Sequence, residues 1–167
     1  MQQITWLALG YHAPANPSRN RVYVWRKLKE CGSEYFRPGV AILPDNQTSR
    51  AKFMLLAAKI REMGGDAVMA ELRFLDPKDE AETIQRFKSH SEKEYREFVR
   101  ESRGLSSLPP DARDELLKKL KKRYGMVRSR DFFSSGDSII EGLSDLADDM
   151  ERVAAGLGRQ LRHMLDL

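Results

Sequence analysis

Ile4-Thr5-Trp6-Leu7-Ala8-Leu9-Gly10 is the stretch from which the fold can be read. The run is too short for a helix, and its aromatic and β-branched residues favour a strand. Residues on both faces of that strand are apolar. A strand of this kind lies centrally in a sheet and is covered on both sides, so a layer beyond the helices of a simple two-layer domain is expected.

Downstream, Asn16-Pro17 suits the cap and first position of a helix. Its apolar stripe is Val24, Trp25, Leu28 and Cys31, which places Trp25 in the core, and Gly32 stops it. Glu34-Tyr35-Phe36 and Val40-Ala41-Ile42-Leu43 flank Arg37-Pro38-Gly39, a turn signal that makes the pair a hairpin. A second helix is predicted from about Thr48 to Met63, where Phe53, Leu56, Ala57, Ile60 and Met63 recur three and four apart before Gly64-Gly65. Asp66 to Leu75 reads as a strand with Val68, Ala70, Leu72 and Phe74 on one face and Glu71 and Arg73 on the other. Strand, helix, two hairpin strands, helix, strand is the order of a ferredoxin-like split β-α-β domain, assigned to residues 1–75.

Residues 76–167 read as helical. One helix, about Asp79 to Arg103, carries Ile84, Phe87, Tyr95 and Phe98; a second, about Asp111 to Tyr124, carries Ala112, Leu116, Leu117 and Leu120. A third is predicted to run unbroken from Asp137 to Leu165. Its seam is Ile140, Leu143, Ala147, Met150, Ala154, Leu157, Leu161 and Met164, at alternating three and four spacing, widened by Leu146 and Val153. Such a seam needs a helical partner, in a homodimer, in a second protein or in the chain's own bundle. The expected class is α+β: a ferredoxin-like domain followed by an α-helical bundle.

With 167 residues, 41% hydrophobic and 32% charged, the chain can bury a real core and is not of disordered composition. A single cysteine excludes an internal disulfide, no cationic leader precedes a cleavage site, and no apolar run approaches a membrane span. A soluble cytoplasmic protein is expected. The net charge of +4 conceals a partition: +6 over residues 1–65, −2 over 66–105, +4 over 106–133 and −4 over 134–167. The acidic last segment is suited to shielding one of the basic blocks.

Two basic clusters are the candidate contacts for DNA. The first is Arg19, Arg21, Arg26, Lys27 and Lys29 on helix 1, whose N-terminus at Ser18 and Arg19 also suits a small anion. The second is Lys118, Lys119, Lys121, Lys122, Arg123, Arg128 and Arg130, a block that can neutralise phosphates by counterion release. The alternative for each is a solvated face. Metal chemistry is not indicated: His12, His90 and His163 are dispersed, and His90 with Glu94 supplies only two ligands at helical spacing. Cys31 reads as a small core residue rather than a nucleophile. No catalytic residue, metal or cofactor is expected.

Trp6-Leu7-Ala8-Leu9, Pro17-Ser18-Arg19, Arg21-Val22, Val24-Trp25-Arg26-Lys27-Leu28, Gly32, Gly39-Val40, Leu43-Pro44 and Gly64-Gly65-Asp66-Ala67 together resemble the N-terminal domain of the chromate-resistance regulator ChrB. Phe74-Leu75-Asp76 and Arg130-Asp131-Phe132-Phe133 extend the resemblance to about Gln3–Phe133. It implies a part in controlling a chromate-resistance operon through promoter DNA. Full-length regulators carry a separate C-terminal domain where this sequence has the seam helix, so chromate sensing is not expected of it. A remoter similarity runs to the ferredoxin-like core of phenylacetate-type repressors and of the CRISPR adaptation nuclease. The nuclease's metal-supporting Asp has no counterpart in Gly10-Tyr11-His12-Ala13-Pro14, which argues against nuclease chemistry. The expected function is therefore a DNA-binding regulatory or accessory protein. The alternatives are a non-catalytic module that partners a separate sensor and, third, a metal-dependent nuclease.

Overall fold

The structure is a computed structural model, described for residues 4–136, 139, 142, 144–145, 147–148, 151 and 156–165. It is α+β. The order is β1 (Trp6–His12), α1 (Arg19–Cys31), β2 (Glu34–Arg37), β3 (Val40–Pro44), α2 (Gln47–Glu62), β4 (Asp66–Leu72) and α3 (Pro77–Ser102). A 3-10 turn (Arg103–Ser107), α4 (Pro110–Arg128) and α5 (Leu157–Leu165) follow. The strands form one sheet, β2-β3-β1-β4, with every neighbouring pair antiparallel. This is the ferredoxin-like arrangement that the element order predicts. Two compact units divide the chain, Met1–Phe87 and Lys88–Leu167.

In the first unit β1 is central, and Trp6, Leu7, Ala8 and Leu9 are all buried. Directly opposed residues share a face, so Leu7, Leu43 and Glu71 point to one side and Trp6, Pro44 and Leu72 to the other. The Glu71 side meets α2, whose Arg50 bonds Glu71 and Asp45. The Trp6 side is the second covered face foreseen from the double apolarity of β1. Trp6 stacks edge-on with Phe74 at 5.7 Å and lies 5.6 Å from Phe87 on α3, while its Nε1–H donates to Glu80 at 2.9 Å. The first turns of α3 thus form the extra layer.

Three expectations for this unit need correction. Helix α1 starts at Arg19 rather than Pro17, and Ser18, not Asn16, occupies the cap position, without a side-chain bond. Trp25 is not in the core: Val24, Leu28 and Cys31 form the buried stripe, and Trp25, about 100° from Val24 around the helix, is half exposed. On β4 the residue buried in the core is Ala67, whereas Val68 is 63% exposed. The Val68–Leu72 face is the one shared with Trp6, and it is covered only toward Phe74. Helix α2 keeps its inner stripe of Phe53, Leu56, Ala57 and Ile60, but also exposes Met54 and Leu55 on its outer side. Asn46 caps it by accepting from Ser49 N–H at 2.8 Å.

The second unit has its own core, centred on Tyr95, Phe98, Leu105, Leu120, Tyr124 and Val127 and completed by Ala147, Leu157, Leu161, Met164 and Leu165. The last helix is not unbroken. Gly156 takes φ +88°, a left-handed turn that suits glycine, and α5 begins directly after it. Glu151 spans the break by accepting from Gly156 N–H at 2.9 Å and Arg159 N–H at 3.2 Å, and Arg162 pairs with Asp148. A Cβ at Gly158 would collide with the Ala147 carbonyl oxygen, so glycine at this position permits close approach of the two segments. The described seam members Ala147, Leu157, Leu161 and Met164 are therefore spent on the chain's own bundle. Ile140, Leu143, Met150 and Ala154, with Leu146 and Val153, lie outside the described residues.

Candidate nucleic-acid interface

Burial of Val24, Leu28 and Cys31 against the sheet leaves the opposite side of α1 to solvent. That side carries Arg19, Val22, Arg26 and Lys29, with Arg21 and Trp25 at its flanks; all six are exposed. Arg19, Arg21 and Arg26 pair with no carboxylate among the described residues, so their charge is uncompensated locally. Lys27 is different: it bonds Glu30 at 2.6 Å, which raises its pKa above the ordinary lysine value, and it is only partly exposed. Lys29 Nζ stands 4.6 Å from the centroid of the Trp25 ring, a cation–π contact that holds the indole among the cations. Four of the five predicted cations of this block thus share an outward surface, together with an aromatic that the sequence reading had assigned to the core.

The second block separates into two parts. Arg123 bonds Glu97 at 3.0 Å and also Glu101, and Arg130 bonds Glu94 at 2.6 Å; these guanidiniums tie α4 and the segment after it to α3. Lys119 pairs with Glu115 at 2.7 Å. Lys118, Lys121, Lys122 and Arg128 stay exposed, and Arg128 also reaches the Tyr124 hydroxyl at 3.4 Å. Lys121 borders two adjoining hollows between α4 and α5, of about 350 and 260 Å³, both floored by Met164. The acidic last segment directs Asp148 and Glu151 to its own Arg162 and Arg159 rather than to this block.

The remaining sequence candidates are dispersed. Ser18 and Arg19 are exposed at the start of α1, where Asn20 N–H is already bonded to Pro17 O at 3.0 Å. Glu94 pairs with Arg130 at 2.6 Å. Among the described residues no three of His, Cys, Asp and Glu come together. Cys31 is buried, and that burial raises its thiol pKa. Among the described residues no helix is long and apolar enough to cross a membrane.

Sequence reasoning missed the residues that fix these surfaces in place. Asp131 accepts from Ser135 N–H at 2.9 Å and Gly136 N–H at 3.0 Å. Burial first, then the neighbouring Asp131 carboxylate, pushes the Tyr95 phenol well above its ordinary pKa. The Arg130-Asp131 pair is thus a structural latch onto α3. The sequence shows Arg130-Asp131 within the family resemblance and Arg130 as a cation of the second block, but not the turn that Asp131 closes with Ser135 and Gly136.

Fold and surface together define a ferredoxin-like α+β domain with a basic, aromatic-bearing outer helix, continued by a helical unit. Residues 21–107 match the family Protein ChrB, N-terminal, over just more than half of the chain, and the chain belongs to that family. No curated protein and no solved structure matches it.

Proposed function

We propose that the chain is a non-catalytic regulatory component of chromate resistance that contacts promoter DNA through the outer face of α1. The observation that carries this reading is the set of three exposed guanidiniums, Arg19, Arg21 and Arg26, without carboxylate partners among the described residues. Arginine that is neither paired nor buried is free to exchange its counterions for phosphates. Membership of the ChrB N-terminal family supports the regulatory context. In the second block, two of the seven predicted cations, Arg123 and Arg130, serve the α3 contact, which leaves that block the weaker candidate.

The test is a mobility-shift titration of the full chain against the promoter of its own operon and a scrambled duplex, at two salt concentrations. If α1 neutralises three phosphates, log K falls with log salt at a slope of about −3, and each Arg→Ala change removes about one unit. Binding indifferent to both sequence and salt would remove the DNA role. Lys122→Ala, on the other block, is expected to leave the slope unchanged.

A further inference from the structure

The cations of α1 account for phosphate contact, but not for the two large apolar side chains among them. Val22 and Trp25 are 48% and 49% exposed, Val22 on the side of the helix away from the buried stripe and Trp25 on its adjoining shoulder. They lie one turn apart and are bracketed by Arg19, Arg26 and Lys29. An α-helix fits the major groove of duplex DNA, about 12 Å wide, and flanking arginines then reach the phosphates on its rims. At the floor of that groove the base pairs present donors, acceptors and a single apolar group, the C5 methyl of thymine.

We infer that Val22 and Trp25 are the base-reading residues of α1 and that they recognise thymine methyl groups, while Arg19, Arg21 and Arg26 set the register on the backbone. The inference rests on the reading of α1 as the DNA-contacting helix. It adds a division of labour: the guanidiniums give affinity, the apolar pair gives sequence preference, and the preferred site places thymines beneath α1.

The protein carries its own reporter. Of its two tryptophans, Trp6 is fully buried and Trp25 is half exposed, so a change in indole emission on DNA binding reports Trp25. The experiment titrates the full chain with the promoter duplex and with the same duplex in which deoxyuridine replaces thymidine, which removes only the methyl groups. The wild type is expected to bind the uracil duplex about fourfold more weakly for each contacted methyl, with emission changing on binding to the thymine duplex. Trp25→Ala is expected to lose part of the thymine preference, and Val22→Ser combined with Trp25→Ala to bind both duplexes equally, each with an unaltered salt slope. Val22→Ser is expected to reduce the thymine preference in part. Because both side chains are exposed, a circular-dichroism melt should match the wild type; Trp25→Phe, retaining an apolar ring, should keep most of the preference if Trp25→Ala proves unstable.

Equal wild-type binding to both duplexes overturns the inference while leaving α1 as a phosphate-binding helix. So does a thymine preference that survives in full when Val22→Ser and Trp25→Ala are combined. Indole emission that depends on protein concentration without DNA would make this face a self-contact and overturn it too. Absence of binding to any duplex at low salt removes both this inference and the function on which it rests.

Discussion

Trp6 is wholly enclosed, and its one polar atom is satisfied by Glu80, 74 positions along the chain. Replacing Glu80 with Ala leaves a buried indole N–H without an acceptor, a loss of about 1–2 kcal/mol visible as a lower urea midpoint. Cys31 gives a chemical readout of the same packing. Burial keeps its thiol protonated above the ordinary cysteine range, so a thiol-reactive dye at neutral pH should label the folded chain far more slowly than the denatured one. Rapid labelling would mean that α1 detaches from the sheet. At this scale the sequence was legible where a residue had one plausible environment, as for Leu28 or Cys31. It misled at Trp25, because an indole can lie beneath a helix or on its shoulder, and a 100° step along the backbone decides which. Val68 misled for a related reason: a strand shows its two faces by alternation, as Glu71 and Leu72 on opposite faces confirm, but not which is better covered.

The elements were legible wherever punctuation agreed with periodicity. Pro38-Gly39 made the hairpin turn and Gly64-Gly65 closed α2, whereas the Asn46 cap of α2 was missed; Asp76 precedes α3 and accepts from Lys78 N–H at 2.8 Å. The last helix failed because the three-and-four spacing of its apolar residues continues across Gly156. Only the backbone angle there reveals the reversal. The Glu151 carboxylate that bridges the turn has a lowered pKa, first because Gly156 N–H donates to it. A carboxylate lowered in the folded state stabilises fully above its ordinary pKa, about 4.3, and that contribution is lost as pH falls through the folded value. Hydrogen exchange at Gly156 and Arg159 should therefore accelerate on acidification below about pH 4, after correction for intrinsic rates. Glu151→Gln should show much of that loss of protection already at neutral pH. Unchanged protection in the variant would assign the turn to Gly156 alone.

For the whole molecule, the composition led to the α+β class and the uneven charge, but not to the destinations of the charges. Arg123 and Arg130 looked like phosphate ligands until their pairing with α3 glutamates was visible, and ion pairs between distant segments leave no local pattern. The described seam residues Ala147, Leu157, Leu161 and Met164 likewise turn inward. Leu161 is fully buried in the second unit, so Leu161→Ala should cost about 2–5 kcal/mol in a denaturant melt without changing the mass measured by light scattering. A fall in mass would instead assign Leu161 to a contact between chains. The covering of Trp6 by the first turns of α3 has a further consequence. Four-stranded sheets of this shape can serve as a table on which splayed, single-stranded bases stack against exposed rings. Here the ring on the central strand lies beneath a helix, and that half of the table is closed. The half-exposed Trp25 ring stands instead on α1, on a curved ridge rather than a flat surface, which on the proposed reading favours the grooved edge of paired bases over unwound ones.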